Sequence, residues 1–497
     1  MRKTICILTA IIMTVSLPLM ALAAATTART MVISDTMGTV NMTKGTAKEV
    51  AAKKGVFLRE DWGGAITKNT TDFLVLNKEC FGGNLHGVVE KLPYIKSLGV
   101  STIMLSPIFE STSYHKYDTA DLENVDSMLG GNATLRYLCN EASKLGIGVL
   151  LDGVFNHVGS DSIYFNKHGT FDSVGAYQSK KSKYFSWFTF TNHPEEYSMW
   201  WNFKTLPQFN ESNPSLQKFI AGPGGVIEKH MKNGVIGYRL DVADELTDAY
   251  LNKICARIRI SKKDAVIMGE VWEDAATKTA YSQRRTYFNG LQLNSVMNYP
   301  LKTGIIDFVL RGDAEGLAAV HYMIKDHYPH EVAYSLMNFL GTHDTKRIMT
   351  VMREKSEKDA FALLKIAGAI QYCWPGVPAV FYGDEAGAVG GEAPFCRVCF
   401  PWGKEDKQIV AWYRKLGELR ARKILAEGEC NILLAHNGVF IMERTLGKSR
   451  LVLAANCSGE DFKLNVVSKM INYESGKPVK DSVLLQSSTF IILSNFS

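Results

Sequence analysis

Cysteine, proline and long apolar runs are all scarce in this sequence. Its 497 residues include nine cysteines and 14 prolines, and only one apolar run, residues 5–23, is long. These scarcities exclude a small disulfide scaffold, a collagen-like repeat and a polytopic membrane protein. What remains is an ordinary globular composition, 46% hydrophobic and 21% charged. The length favours about three domains.

The apolar run has the pattern of a secretory signal peptide. Arg2 and Lys3 precede it, and Ala21-Leu22-Ala23 supplies the small residues that signal peptidase accepts. We therefore expect residues 1–23 to be removed and the protein to be secreted, with no membrane partner afterwards. An uncleaved membrane anchor is the alternative. Cleavage lowers the formal net charge from +6 to +4. This positive charge is too small to favour nucleic acid as a partner.

The cysteines are scattered, and Cys396-x-x-Cys399 is the only close pair. A structural zinc site needs a second pair or a histidine cluster, and neither accompanies this one. The sequence therefore predicts no metal here and leaves open a disulfide at the surface.

Strand-like and helix-like segments alternate along most of the chain. This alternation predicts a parallel sheet with helices outside it, and the number of strands favours a (β/α)8 TIM barrel. A doubly wound open sheet is the alternative, but no G-x-G-x-x-G opens a helix. The predicted strands are 31–34 (weak), 102–105, 148–151, 235–238, 266–268, 295–297, 333–338 and 378–382.

Two regions interrupt the alternation. Residues 158–225 are rich in aromatic residues, glycine and asparagine, and predict a subdomain inserted after the third strand. From residue 426 the pattern changes to short β-type runs separated by turns, which predicts a C-terminal antiparallel β-sandwich over 426–497. The catalytic barrel is expected to occupy 24–425.

Polar side chains follow four of the predicted strands. Asp152 to His157 follow the third, Arg239 to Asp241 the fourth, Glu270 the fifth, and His343-Asp344 the seventh. In α/β barrels the C-terminal ends of the strands carry the chemistry. Because buried charges are costly unless paired, these groups are expected to converge on one cleft.

Paired carboxylates of this kind suit the cleavage of a glycosidic bond. Such cleavage needs a proton donor for the leaving oxygen and a carboxylate that faces the anomeric carbon. Glu270 has the longer side chain and carboxylate neighbours, which favour a retained proton. Asp241 lies two residues from Arg239, whose guanidinium is expected to keep it ionised as a nucleophile.

Together the four segments resemble the four short motifs of the α-amylase family, glycoside hydrolase family 13, in order and in barrel position. The resemblance covers about residues 59–422. It implies a retaining mechanism on α-glucosidic bonds. It also implies that Asp241 is the nucleophile, Glu270 the acid/base and Asp344 the third catalytic carboxylate, and that the sugar-binding residues are Tyr117, His157, Arg239 and His343.

A fifth motif, Leu206–Asn210, is similar to the Met-Pro-Lys-Leu-Asn form of neopullulanases, cyclomaltodextrinases and maltogenic amylases. This likeness favours maltooligosaccharides, cyclodextrins, pullulan or starch as substrates. Trp200, Trp201 and Trp272 are candidate sugar-stacking walls or packing residues, with neither reading preferred.

The chain also departs from that subfamily. The stretch before Phe81 leaves no room for its N-terminal β domain, and the first strand is rewritten around residues 31–37. Asn84 replaces the usual aspartate of a calcium loop, and Asn156 alone does not complete a calcium site. The sequence therefore predicts no cofactor, since no calcium site is complete, and it leaves a calcium requirement and the oligomeric state open.

Two alternative functions remain at this point. A 4-α-glucanotransferase would use the same carboxylates, with a sugar hydroxyl in place of water. A non-catalytic glycan-binding protein would keep the fold alone; the altered first strand favours it, and the intact carboxylates argue against it.

Overall fold

The computed structural model describes residues 30–33, 55–59, 61–67, 78–466 and 469–496. The predicted signal peptide lies outside these ranges. Within them, every helix is too short or too polar to span a bilayer.

Parallel strands form a ring at the centre of the molecule. In chain order, the eight barrel strands are Thr30–Ile33, Thr102–Leu105, Gly148–Gly153, Gly237–Leu240, Val266–Gly269, Ser295–Val296, Met337–Phe339 and Val377–Phe381.

The register of the strands shows how the ring closes. The weakly predicted first strand pairs with both neighbours, since Thr30 lies opposite Thr102 on one side and Ala379 on the other. The sixth and seventh strands meet through a single parallel bridge between Met297 and Met337. The sheet order and this bridge confirm the barrel expected from the sequence.

Two strands start later than the sequence predicts. The fourth starts at Gly237, two residues later than expected, and Gly237 has φ +152°, where a Cβ would lie 1.9 Å from the Val266 carbonyl oxygen. The seventh starts at Met337, because the preceding residues His330–Ala333 form a helical turn.

Helices cover the outside of the ring, and local capping fixes their ends. The Asn298 side chain accepts a hydrogen bond from Leu301 N at the start of one helix, and Gly312, in the left-handed region, ends it. Asp313 caps the next. Among the described residues, the α-helices are Leu85–Ser97, Gly131–Lys144, Pro214–Ala221, Val226–Met231, Asp248–Ser261, Tyr299–Arg311, Ala314–His327, His330–Ala333, Ile348–Lys355, Ala360–Cys373, Lys407–Arg420 and Lys423–Glu427.

Short elements occupy the loops. Between the third and fourth barrel strands lies a hairpin, Phe190–Asn192 with Glu196–Tyr197. The buried aromatics of this segment belong to the same apolar cluster as the barrel core. A separate subdomain over 158–225 stays a prediction.

Further strand pairs lie in other loops. They are Phe57–Leu58 with Glu79–Cys80, Phe109–Ser111 with Thr119–Val125, and Thr279–Ala280 with Gln283–Arg284.

The C-terminal part of the chain is antiparallel. Side chains of Val439–Leu446 alternate between two cores: Phe440 and Met442 pack with the barrel, whereas Val439 and Ile441 face a second cluster inside the β region. The last helix ends at Glu427, close to the predicted boundary at 426, which itself stays a prediction. The strands are Glu429–His436, Val439–Leu446, Ser449–Asn456, Phe462–Asn465, Met470–Asn472, Pro478–Val479, Ser482–Leu485 and Thr489–Ser494.

Candidate active site

The loops at the C-terminal ends of the barrel strands bring the predicted site residues together. A connected set of hydrogen bonds and ion pairs joins all of them except His157, which lies at its edge. The joined residues are Tyr117, Arg239, Asp241, Glu270, His343 and Asp344.

Arg239 lies at the centre of this set and is buried. Its Nη1 donates to Asp152 Oδ1 at 2.7 Å and to Asp241 Oδ1 at 2.8 Å, and its Nη2 lies 2.8 Å from Glu270 Oε2. The fourth barrel strand carries Arg239, and Asp241 follows that strand directly. One guanidinium therefore contacts three carboxylates from three different strand ends.

The Glu270 carboxylate is held by further donors. Val242 N donates to Oε2 at 3.0 Å, and Trp272 Nε1 donates to Oε1 at 3.0 Å. The Tyr299 hydroxyl lies 3.4 Å from Oε1, and its ring stacks on Trp272 at 4.7 Å between centroids. These contacts fix both carboxylate oxygens in a nearly water-free position.

Tyr117 and His343 form one wall of the site. The Tyr117 hydroxyl donates to Asp152 Oδ2 at 2.9 Å and lies 2.7 Å from His343 Nε2, with the two rings stacked at 5.2 Å. His343 Nε2 also lies 3.0 Å from Asp344 Oδ2. Tyr117 thus already stacks on a neighbouring side chain of the site.

Arg397 supports this wall from behind. Its Nη2 lies 3.2 Å from Asp344 Oδ1, its Nε donates to the His343 carbonyl at 2.9 Å, and its Nη1 donates to the Tyr114 hydroxyl at 3.0 Å. The Cys396 thiol also contacts the His343 carbonyl, at 3.1 Å. Cys396 is a buried free thiol and Cys399 is also buried, so the surface disulfide left open by the sequence is absent.

The fifth motif lies along the edge of the site. Gln208 Nε2 donates to Asn156 Oδ1 at 3.0 Å, and Gln208 pairs with His157 in an antiparallel bridge. The His157 ring stacks on Trp200 at 5.3 Å. Asn156, considered above as a calcium ligand, is therefore engaged by the motif, and Asn84 caps a helix through Gly87 N. Within the described ranges, no group of three or more His, Cys, Asp or Glu residues is arranged to hold a metal ion.

Burial dominates the electrostatics of the site. It raises the pKa of Asp241 well above the ordinary range and that of Asp152 to about 6, and in both cases Arg239 opposes the shift. Burial also lowers the pKa of His157 to about 4 and that of His343 well below its usual value, so both imidazoles are neutral at pH 7. The sequence had assigned the larger influence on Asp241 to Arg239.

Three residues were not among the predicted site residues. Asp152 opens the polar segment at the end of the third strand, and its contact with Arg239 depends on the pairing of neighbouring strands. Tyr299 begins the helix after the sixth strand, and Arg397 lies in the loop after the eighth strand. Neither segment carries a motif that points to the chemistry of the site. Arg397 lies within the Cys396-x-x-Cys399 segment, whose pattern suggested only a metal site or a disulfide.

The chain is similar to known proteins in family, in sequence and in structure. Residues 41–427 match the family described as alpha amylase, catalytic domain. The chain is 34% identical over 451 residues to an amylopullulanase of Thermoanaerobacter thermohydrosulfuricus, covering 82% of this chain and 30% of that one. It is 33% identical over 403 residues to a cyclomaltodextrinase of Thermoanaerobacter pseudethanolicus, covering 77% and 65% respectively. The chain spans 24% to 34% of the length of the three amylopullulanases that it matches.

Solved structures show the same fold over nearly the whole chain. The cyclic α-maltosyl-(1→6)-maltose hydrolase of Arthrobacter globiformis has a TM-score of 0.79 at 24% identity, covering 95% of this chain and 99% of that one. A debranching enzyme of Nostoc punctiforme has a TM-score of 0.76 at 25% identity, covering 95% and 98%. With the family match extending over most of the residues, the chain belongs to the α-amylase family.

Proposed function

We propose that the protein is a retaining glycoside hydrolase that cleaves α-glucosidic bonds, mainly α-1,4, in maltooligosaccharides, cyclodextrins, pullulan or starch. The observation that carries this proposal is the position of Arg239 between Asp241 and Glu270. Two carboxylates on the terminal nitrogens of one guanidinium are near neighbours. Short carboxylate separations are typical of retaining rather than inverting glycosidases.

Each carboxylate takes one role in the first step. Asp241 attacks the anomeric carbon while Glu270 gives its proton to the leaving oxygen, so the glycosidic C–O bond breaks as an ester bond to Asp241 forms. In the second step Glu270 takes a proton from water, whose oxygen attacks the same carbon and releases Asp241. Both side chains return to their initial protonation states.

The charge of the cluster supports a retained proton. Asp152, Asp241 and Glu270 together carry up to three negative charges around the single positive charge of Arg239, all in a buried site. Like charges at this distance disfavour full ionisation, so the set favours keeping a proton at neutral pH. Burial raises the pKa values of Asp152 and Asp241, so the retained proton belongs to the set as a whole, which includes the proposed general acid.

The remaining predicted residues would hold the sugar. Asp344 is about a third exposed and faces the cleft beside neutral His343, so it can accept hydrogen bonds from sugar hydroxyls. The buried Nε2 of His157 has no hydrogen-bond partner within the described part of the chain. A sugar hydroxyl at that atom would remove the cost of an unsatisfied buried group.

The activity test compares the mature chain with its Glu270→Gln variant on β-cyclodextrin, pullulan and soluble starch, with products separated by chain length. We expect hydrolysis by the wild type that the variant lacks. Faster attack on cyclodextrin or pullulan than on starch supports the subfamily assignment. A folded wild type that releases no product from any of the three contradicts the proposal and favours a glycan-binding protein.

A second experiment separates the two carboxylate roles. With an activated glucosyl substrate and added azide, Glu270→Ala should form a glycosyl azide of retained configuration, since azide attacks the covalent intermediate. Asp241→Ala should form the inverted azide by direct displacement. The opposite pairing of product and variant contradicts the assignment.

Transfer to a sugar acceptor is a second candidate activity. Trp272 is half exposed while its Nε1 contacts Glu270, so it presents a stacking surface next to the acid/base. Products longer than the substrate, formed from maltotriose, would support a 4-α-glucanotransferase.

We also propose that the protein is exported, because residues 1–23 have the pattern of a secretory signal peptide. The test recovers the chain from the culture medium and measures the mass of its N-terminal peptide. A mature terminus at Ala24 is expected, and an intact Met1 terminus in the membrane fraction contradicts it.

A further inference from the structure

Two aromatic side chains stand out from the surface near the proposed cleft. Trp201 is 71% exposed and Tyr281 is 72% exposed. Trp201 Nε1 donates to Glu245 Oε1, and the Tyr281 hydroxyl faces the same carboxylate. Two large rings that share one anchor and remain in solvent form a surface that soluble proteins usually keep for a ligand.

The backbone at both rings adopts an unfavourable conformation. Trp201 and Asn202 have φ values of 46° and 62°, and Tyr281 and Ser282 have values of 52° and 63°. Left-handed φ values are uncommon outside glycine, and such strained residues concentrate at ligand-binding sites. At Tyr281 and Ser282 these values belong to the two-residue turn that closes a β-hairpin, and at Trp201 and Asn202 they belong to a short helical turn. Both turns leave the rings exposed.

The hairpin that carries Tyr281, Thr279–Ala280 with Gln283–Arg284, is fixed at both of its ends. Lys278 Nζ lies 3.0 Å from Asp244 Oδ2, and Arg285 N donates to the Lys278 carbonyl at 2.9 Å. Arg285 Nη2 also lies 3.3 Å from Asp248 Oδ1. The hairpin is thus attached to the segment that directly follows Asp241.

Both rings connect to the carboxylates through short paths. Glu245 N donates to the Val242 carbonyl at 2.9 Å, and Val242 N donates to Glu270 Oε2 at 3.0 Å. On the other side, Trp201 stacks on Trp200 at 5.4 Å, and Trp200 stacks on His157 at 5.3 Å. The exposed pair therefore lies at the edge of the same cleft.

We propose that Trp201 and Tyr281 form an aromatic clamp for a glucose unit of the substrate that lies beyond the unit held at the carboxylates. The apolar C–H faces of a glucopyranose ring suit stacking on the two rings. The Glu245 carboxylate between them accepts hydrogen bonds from sugar hydroxyls. The clamp rests on the proposed function and assigns to this chain a preference for longer α-glucan chains.

The test compares maltoheptaose with maltotriose as substrates. Trp201→Ala and Tyr281→Ala are each expected to lower kcat/KM for maltoheptaose relative to maltotriose by about tenfold, mainly through KM, since a lost stacking contact weakens binding by roughly that factor. Tyr281→Phe keeps the ring and should keep the wild-type ratio. Tyr322→Ala removes a half-exposed aromatic from the outer helix Ala314–His327 and serves as the matched control.

Calorimetric titration of maltoheptaose into Glu270→Gln, with and without Tyr281→Ala, gives a readout that does not need turnover. We expect weaker binding when the ring is removed. Unchanged binding together with an unchanged substrate ratio overturns the clamp, and so does a Tyr281→Phe variant as impaired as Tyr281→Ala. A wild type that hydrolyses neither oligosaccharide contradicts the proposed function instead, so the two failures are distinguishable.

Discussion

Nη2 of Arg239 lies 2.8 Å from Oε2 of Glu270, so one buried cation contacts both of the carboxylates to which the proposed mechanism gives opposite roles. The guanidinium favours the ionised form of the nucleophile. Its contact with the acid couples the charges of the two groups, so that a proton gained by one changes the charge that the other senses.

Removing this cation should destabilise the fold. Arg239→Met leaves three buried carboxylates unpaired and is expected to lower the free energy of unfolding at pH 7 by about 3–5 kcal/mol. Urea unfolding measures the loss. It should shrink as the pH falls toward 4, because burial raises the pKa values of Asp152 and Asp241, which take up protons there and no longer need the cation.

Arg353→Met is the control for that measurement. Arg353 is half exposed and pairs with Glu357, which lies just past the end of the helix Ile348–Lys355. Its loss should cost about 0.5 kcal/mol or less. Equal stabilities of the two variants would show that Arg239 contributes nothing beyond an exposed ion pair.

Gly237 is predicted to tolerate no side chain. Its φ of +152° and the 1.9 Å approach of an added Cβ to the Val266 carbonyl place backbone against backbone. Gly237→Ala should lower the free energy of unfolding by about 4 kcal/mol or more, or prevent folding, because neither strand can yield without losing its register. Its control is Gly391→Ala, since an added Cβ there meets nothing within 4 Å. A melting temperature unchanged in both variants contradicts the prediction.

Glu385 should make stability depend on pH. Burial raises the pKa of this fully buried carboxyl to about 8, and neighbouring Asp384 adds to the shift. The folded chain then keeps the proton up to about pH 8, whereas the unfolded chain loses it near 4.5, so wild-type stability falls as the pH rises between these values. Glu385→Gln carries no titrating proton and lacks this fall.

Denaturant unfolding at pH 5 and pH 8 tests this prediction. Relative to wild type, Glu385→Gln should gain about 3–5 kcal/mol between the two pH values, as the size of the pKa shift implies. Glutamine can still accept the hydrogen bond from Gly383 N that the carboxylate accepts at 2.8 Å. A stability difference that is the same at both pH values is the contrary result.

Arg397 is expected to act as a positioning residue through Asp344 and His343. Arg397→Met releases the Asp344 carboxylate and the His343 carbonyl, and a displacement of about 1 Å in such a wall costs about 100-fold in rate. We expect kcat to fall more than KM rises, with partial recovery in Arg397→Lys. Thermal unfolding measured in parallel separates this effect from a loss of fold, since a purely structural residue would lower stability and activity together.

Much of the architecture follows from local sequence. The barrel strands are short apolar runs, and Asp241 and Glu270 lie directly after their strands, so counting along the chain finds both. The bounds of strand four depend on Gly237 and Val266, which lie 29 residues apart and meet only when the strands pair. Neither segment alone predicts this contact between the two strands.

Contacts between distant segments explain what the sequence left undecided. Arg239 was predicted to pair with Asp241, whereas its contacts with Asp152 and Glu270 depend on strand neighbours on both sides. Trp200 and Trp201 are chemically equivalent neighbours, and only the left-handed backbone at Trp201 turns one ring toward His157 and the other into solvent.

The joint between the sixth and seventh strands has a consequence for how the ring tolerates mutation. Elsewhere main-chain ladders hold adjacent strands, and such ladders form with almost any side chain. Here one bridge is supplemented by side chains: Ser295 Oγ donates to the Ser335 carbonyl at 2.6 Å, and Asn298 Nδ2 donates to Asn338 Oδ1 at 2.9 Å. At this junction, side-chain hydrogen bonds help to close the barrel. A substitution of Ser295 or Asn298 would therefore destabilise the whole barrel, although the same change in another strand would be harmless.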